Sequence, residues 1–437
     1  MNKKITVNLA VAIAILAMTV TFAVTMLLSM RMFDATVAGV RDKETMYNKL
    51  AEVDRSVRAN YYGEINEDTL NDMLAAGYLA GIGDSNATYY TARQYTEYRG
   101  VQTGEVIGIG ADVVKDSGGY ARIVRVYAGS PAADAALAAN MFITKIGESD
   151  VRSLSASQIS TLLQGEAGTS VAITVLDTTT GTEAPIELQR RRYERTTVFS
   201  QVPEGSATGY IQITSFADST ADELEAAVET MLAAETPVTA LVIDLRNNAA
   251  GTLENAMAAI DRVVGVGAIA SSQGREGTQV LATSDNQEIS LPVAVVVNSG
   301  TSYGAELFAA SIRDFGKGVI VGTATAGHGT IQCEPITLSD GSAISYTVGQ
   351  LLTGAGESFD GTGVLPDVET TLTAEQEANF YSLTMDSDPQ LQRAFEAAAQ
   401  LLANQETAGS ADSTPAESVP AESTPAESVP AESVPAA

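Results

Sequence analysis

Residues 295–332 read VVVNSGTSYGAELFAASIRDFGKGVIVGTATAGHGTIQ. The opening VVV and the later VIV are short, uninterrupted apolar runs, as strands buried on both faces require. Between them, GAELFAASIRD spaces its apolar residues three and four apart, the pattern of a helix with one buried face. A tight turn, SGTSYG, precedes the helix, and a Gly-rich loop, TATAGHG, follows the second run. Strand, turn, helix, strand and loop in this order is how many α/β hydrolytic enzymes present a nucleophile.

The flanking sequence extends the same layer. GYIQITSF (209–216) reads as a strand, ADELEAAVETMLAAE as an amphipathic helix, and VTALVIDLRNN (238–248) as a fully buried strand running into a polar turn. LENAMAAIDRVVG is the next helix. Alternation of this kind implies a sheet with parallel neighbours covered by helices, whose active sites lie at the carboxyl ends of strands. The loops after Asn248 and Asn298 are both at that edge, and the α/β core is expected over 194–375.

Upstream, 101–193 alternates apolar and polar residues around two short helical segments, as a small β domain does. Residues 34–100 carry helical periodicity in YNKLAEVDRSVRANYY and DTLNDMLAAGYLAGI, and 376–405 forms a second helical segment. Residues 406–437 repeat a five-residue unit of Pro, Ala, Glu and Ser or Thr. With almost no large apolar side chain to bury, this tail is expected to be disordered.

At the amino end, residues 9–30 contain no charged side chain, and about 20 such residues span a bilayer as a helix. Lys3 and Lys4 precede the run, so the positive-inside rule keeps the amino end in the cytoplasm and sends the rest outward. Residues 1–33 are therefore expected to be a cytoplasmic stub and a single transmembrane helix in the cell membrane, with the bulk of the chain extracytoplasmic. A cleaved signal peptide competes, with Thr36-Val37-Ala38 as its small-residue site, but the run exceeds the roughly 7 to 15 residues of a signal peptide.

Composition narrows the partners. The 437 residues, 45% of them hydrophobic, can bury a sizeable core in two or three domains. A net charge of −29 argues against a nucleic-acid partner. One cysteine, Cys333, and one histidine, His328, exclude an intrachain disulfide and thiolate metal sites. No metal or cofactor is expected.

From residue 90 to residue 368 the chain resembles the C-terminal processing peptidase family, also called carboxy-terminal or tail-specific proteases, which are PDZ-containing serine proteases with a Ser-Lys dyad. The matching pieces stand in the family's order: the β block, GYIQITSF, LVIDLRNNAAG, VVVNSGTSYGAE, IRDFGKGVIVGTATAGHGTIQ and LSDGSAISYTVGQLLTGAGESFDGTGVLPDV. The resemblance implies a PDZ-like domain in which Gly108, Ile109, Gly110 and Ala111 offer backbone N–H groups to a peptide's terminal carboxylate. Where the family has Gly-Leu followed by Gly-Asp, this chain has Ala136-Leu137 and Asn140-Met141, which leaves that loop's geometry open. A homodimer through the terminal helical regions is a further implication.

The family pattern Ser-Ala-Ser-Ala-Ser-Glu places its nucleophile three residues before the Glu, with a general-base Lys 25 residues further on and, in some members, an orienting Gln four residues beyond that. The Glu here is Glu306, so Tyr303 holds the nucleophile position, His328 the base position and Gln332 the orienting position. Both dyad members are replaced. A phenol reaches several ångströms further from the backbone than a serine hydroxyl and overshoots a carbonyl in the oxyanion hole. The resulting expectation is a degenerate peptidase that still binds polypeptide C-termini. The alternative is an active endopeptidase using Ser302 with His328, oriented by Gln332, Glu306 or Asp314; a one-residue shift on a turn is expected to move that hydroxyl off the line of attack. The resemblance also implies oxyanion donors at Gly304 and in the turn Ala249-Ala250-Gly251, from Ala250 and Gly251. Asp244 and Arg246 read as a structural ion pair or as capping groups.

Overall fold

The computed structural model describes residues 7–102, 105–285 and 287–411. It comprises two units, Met1–Leu74 and Ala75–Ala437.

The first unit is dominated by one helix, Val7–Asn60, which runs through the boundary expected at 33/34. The helix Glu67–Gly81 follows, and Arg58 closes the turn between them on Glu67, at 2.6 Å from Nη1 to Oε1 and 2.9 Å from Nη2 to Oε2. The apolar run 9–30 lies inside the long helix, with Leu16, Met18, Val20, Phe22 and Met26 exposed. Residues 1–6 lie outside the described residues, as do most side chains up to 42. Among the described residues no helix is long and apolar enough to cross a membrane.

In the second unit the central sheet has six strands in the order Val198–Gln201, Thr208–Ile213, Ala240–Asp244, Val293–Val297, Gly318–Gly322, Val368–Glu369. The first pair is antiparallel and the others are parallel. Side-chain alternation divides the buried strands between two cores. Leu241, Ile243, Val293, Val295 and Val297 face the helices Thr220–Leu232, Leu253–Asp261 and Gly304–Asp314. Val242, Ala294, Val296 and Val321 face the helix Pro389–Ala411, through Leu391, Ala394, Ala397 and Ala398. That helix continues past the boundary expected at 405; residues 412–437, most of the repeat tail, lie outside the described residues.

Residues 111–189 form an antiparallel sheet in the order Ala111–Lys115, Ala121–Val126, Phe142–Ile146, Ser170–Asp177, Thr182–Gln189. It has its own core of Ile109, Ile123, Ile143, Ile159, Leu163, Ile173 and Leu188. The helix Ala156–Leu163 begins on a capping box between Ser155 and Gln158. Ala136 and Asn140 adopt left-handed backbones, φ 55° and 74°. These are the two positions at which the resembling family carries glycine; asparagine tolerates this region, whereas Ala136 holds a conformation its side chain disfavours.

A further sheet, Gly277–Ser284, Gly267–Gly274, Thr347–Thr353, Thr330–Gln332, stands beside the core, and a three-stranded one, Thr88–Tyr90, Ala343–Ser345, Ile336–Thr337, joins residues 88–90 to it. Thr330–Gln332 continues directly from the Gly-rich loop that carries His328.

Candidate active site

Two parallel strands deliver their ends to the same edge of the sheet. After Ala240–Asp244, Asn247 takes a left-handed φ of 57°. It then exchanges two hydrogen bonds with Asn298, its N–H donating to Asn298 Oδ1 at 3.0 Å and its Oδ1 accepting from Asn298 Nδ2 at 3.1 Å. Ser302 N–H donates to the Asn248 carbonyl at 2.9 Å, and Thr301 Oγ1 donates to the Leu245 carbonyl at 2.9 Å. These contacts fix the two loops as one turn structure.

Tyr303 opens the helix Gly304–Asp314 with φ 57° and ψ −112°. A non-glycine residue there stores roughly 1–3 kcal/mol of backbone strain, the kind that concentrates at functional turns. The strained elbow thus falls on the nucleophile position that the sequence assigns, and its side chain is a tyrosine. Burial raises the phenol above its usual range, and the opposing N–H of Gln332 does not offset it. The phenol is therefore neutral near pH 7 and offers no phenolate for attack.

The neighbouring Ser302 is the residue that meets His328. Its Oγ lies 2.6 Å from His328 Nδ1, and Ser302 itself is 8% exposed while His328 is open to solvent. This differs from the expectation that a one-residue shift carries the hydroxyl away. The reason is local: the left-handed turn at Tyr303 and the bond from Ser302 N–H to Asn248 set the direction of residue 302 independently of its neighbour.

Glu306, fully buried, accepts from Tyr303 N–H at 2.9 Å, Gly327 N–H at 2.6 Å, His328 N–H at 2.8 Å and the Thr325 hydroxyl. None of these donors is the imidazole. Gln332 donates through Nε2 to Thr330 Oγ1 at 3.0 Å and Thr347 Oγ1 at 2.9 Å, which turns its amide nitrogen away from His328. Its Oε1 is buried without a partner among the described residues. Asp314 sits at the other end of the 11-residue helix and accepts from Ala355 N–H. The structure therefore pairs none of the three candidate orienters with the His328 ring.

Gly304 packs against the helix Leu253–Asp261 and its cap: a Cβ at Gly304 would lie 2.6 Å from Ala256 Cβ and 3.7 Å from the Thr252 carbonyl. The turn Ala249-Ala250-Gly251 is held by Phe216, whose N–H donates to the Ala250 carbonyl at 2.9 Å. Among the described residues the N–H groups of Gly304, Ala250 and Gly251 have no acceptor, so the three donors expected of an oxyanion hole are uncommitted.

Asp244 and Arg246 serve a different purpose. Arg246 bonds both oxygens of Asp244, at 2.9 and 2.7 Å, and also Asp388 at 2.7 Å and Gln390 at 3.0 Å, all buried. Tyr210 adds a donor to Asp244 at 2.9 Å. The group is a structural ion network beneath the site.

Gly108, Ile109, Gly110 and Ala111 line a cavity of about 510 Å³ whose far wall is built by Tyr210, Gln212, Arg246 and Tyr381. Ser302 and His328 are not part of it. Gly108 pairs with Gln164 in an antiparallel bridge, laying the turn against the end of Ala156–Leu163. Three or more His, Cys, Asp or Glu placed to hold a metal are not found among the described residues.

A strained turn that opens a helix at the carboxyl edge of a parallel sheet, with a serine–histidine contact of 2.6 Å, is an arrangement that can activate a hydroxyl nucleophile. Residues 207–370 match the model of peptidase family S41, and the chain carries a peptidase family S41 domain. It is 27% identical over 331 residues to the carboxy-terminal processing protease CtpA of Bacillus subtilis, covering 75% of this chain and 70% of that one. It is 25% identical over 354 residues to a carboxy-terminal-processing protease of Bartonella bacilliformis, covering 79% and 80%. The fold matches that of a putative S41 protease from Bacteroides fragilis, with a TM-score of 0.52 and 19% identity over 78% of this chain and 92% of that one.

Proposed function

We propose that the protein is a serine-type endopeptidase acting near polypeptide C-termini, with Ser302 as nucleophile and His328 as general base. The observation that carries the reading is the 2.6 Å contact between Ser302 Oγ and His328 Nδ1. His328 accepts the hydroxyl proton as Ser302 attacks a peptide carbonyl, and the developing oxyanion is received by the N–H groups of Gly304 and of the turn at Ala250 and Gly251. Residues 101–193 act as a PDZ-like domain, with the turn Gly108–Ala111 holding the terminal carboxylate. Two features support that part: the turn lines the 510 Å³ cavity, and Ala111–Lys115 is an edge strand open to addition of a peptide strand. The chain is held at the membrane by residues 9–30 with its bulk outside the cytoplasm, a reading supported by the uncharged run and its exposed Leu16, Met18, Val20 and Phe22.

A second reading keeps binding without cleavage. It is favoured by the elbow itself, since the strained backbone falls on Tyr303, which holds the family's nucleophile position. Incubating the full chain with casein separates the two. The first reading expects hydrolysis that disappears in Ser302→Ala and His328→Ala and persists in Tyr303→Phe. No hydrolysis by the unaltered chain, together with binding of peptides that weakens when their C-termini are amidated, would establish the second.

A further inference from the structure

Glu306 is fully buried, and a carboxylate in that position must have its oxygens satisfied by donors to be tolerated. Capping the helix Gly304–Asp314 needs only one of its contacts, the N–H of Tyr303. The other three come from a different loop, from the Thr325 hydroxyl and the N–H groups of Gly327 and His328. A single oxygen, Oε2, accepts both from Tyr303 N–H at 2.9 Å and from His328 N–H at 2.8 Å. The first donor belongs to the residue after Ser302, and the second to His328 itself. One buried atom therefore holds the backbones that carry both members of the serine–histidine contact, while the ring receives no hydrogen bond from Glu306.

We propose that Glu306 is the positioning residue of the Ser302–His328 pair. It acts on the two main chains, and Thr325 is its support: the Thr325 hydroxyl donates to Glu306 and accepts from Val364 N–H at 2.7 Å, tying the carboxylate to the loop that precedes Val368–Glu369. Without Glu306 the His328 loop keeps its strand Thr330–Gln332 and the bond from Ala326 N–H to the Thr301 carbonyl at 3.0 Å, but loses the three that hold residues 325, 327 and 328 to the helix following the elbow. For its catalytic consequence the inference rests on Ser302 and His328 being the reacting pair. For its geometry it does not.

The test uses the fact that His328 is the only histidine. The full chain, without a histidine tag and labelled with ¹⁵N-histidine, gives two ring-nitrogen resonances that report the state of Nδ1 directly. Hydrolysis of a peptide substrate is measured beside it. In Glu306→Gln the ring resonances are expected to move toward the averaged values of a free imidazole. Over the same change kcat falls about 100-fold, the scale of a misplacement of about 1 Å, and KM stays within about twofold. Thr325→Ser should resemble the unaltered chain, and Thr325→Val should shift both readouts in the same direction as Glu306→Gln but less far. Ring resonances unchanged in a folded Glu306→Gln overturn the proposal; if that variant does not fold, unchanged resonances in Thr325→Val overturn it. If the unaltered chain cleaves nothing, the peptidase reading fails on its own, and the ring resonances still decide whether Glu306 positions the pair.

Discussion

Ala136 shows how far a single backbone angle departs from what its side chain favours. It follows the short helix Pro131–Asp134, and Leu137 N–H donates to the Ala132 carbonyl at 3.0 Å, closing a helix end of the type that places its penultimate residue in the left-handed region. Its φ is 55° and its side chain is exposed, so a glycine there relieves strain without opening a cavity. Ala136→Gly should stabilise the protein by up to about 1 kcal/mol, the left-handed penalty less the chain entropy of glycine, read as a rise in urea midpoint at unchanged slope; a fall would mean the loop is not left-handed in solution. The same angle explains what was and was not legible at the site. That Tyr303, His328 and Gln332 fall at the motif positions followed from spacing. That Ser302 faces His328 did not, because the direction of a side chain on a turn depends on the φ and ψ of its neighbours, and no residue type announces φ 57° at a tyrosine. Glu306 was visible only as the Glu of the motif and as a candidate orienter of His328. Its three contacts with residues 325–328 come from tertiary structure.

The turn between Ala240–Asp244 and Leu253–Asp261 illustrates the element scale. Gly251 has φ 106°, and a Cβ there would stand 2.1 Å from the Phe216 carbonyl oxygen. Gly251→Ala therefore has to break the bridge to Phe216, at a cost of more than about 2 kcal/mol, and it moves the N–H groups beside Gly304. We expect a lower urea midpoint together with loss of casein hydrolysis; retention of both would remove this turn from the oxyanion site. The strands and helices of the central layer were legible because uninterrupted apolar runs and three-four spacing are local signals. The sheets that contain Thr330–Gln332, Ala343–Ser345 and Thr347–Thr353 were not. They lack an uninterrupted apolar run, and they are fixed by pairing: Ala343–Ser345 with Thr88–Tyr90 and Thr347–Thr353 with Gly267–Gly274, both far away in sequence, and Thr330–Gln332 with Thr347–Thr353.

At the scale of the whole molecule, a buried ion network ties one end of the central sheet to the C-terminal segment. Arg246 leaves the strand that ends at Asp244 and reaches Asp388 and Gln390, which begin the helix Pro389–Ala411. That helix covers the face made by Val242, Ala294, Val296 and Val321, so the network sets where the sheet's second core closes. Burial opposes the charge on Arg246, but Asp244 and Asp388 together hold its pKa above the usual value. Removing one partner leaves a cation that is 3% exposed on its side chain with half its compensation. Because an uncompensated buried charge is far more costly than a replaced pair, Asp388→Ala should lower stability by about 3–5 kcal/mol. Replacing Arg246, Asp244 and Asp388 together by apolar residues of similar volume should cost much less. The comparison is made by urea unfolding of the full chain. A single-substitution loss no larger than that of the triple replacement would show that the network closes the second core through packing and that its charges contribute little.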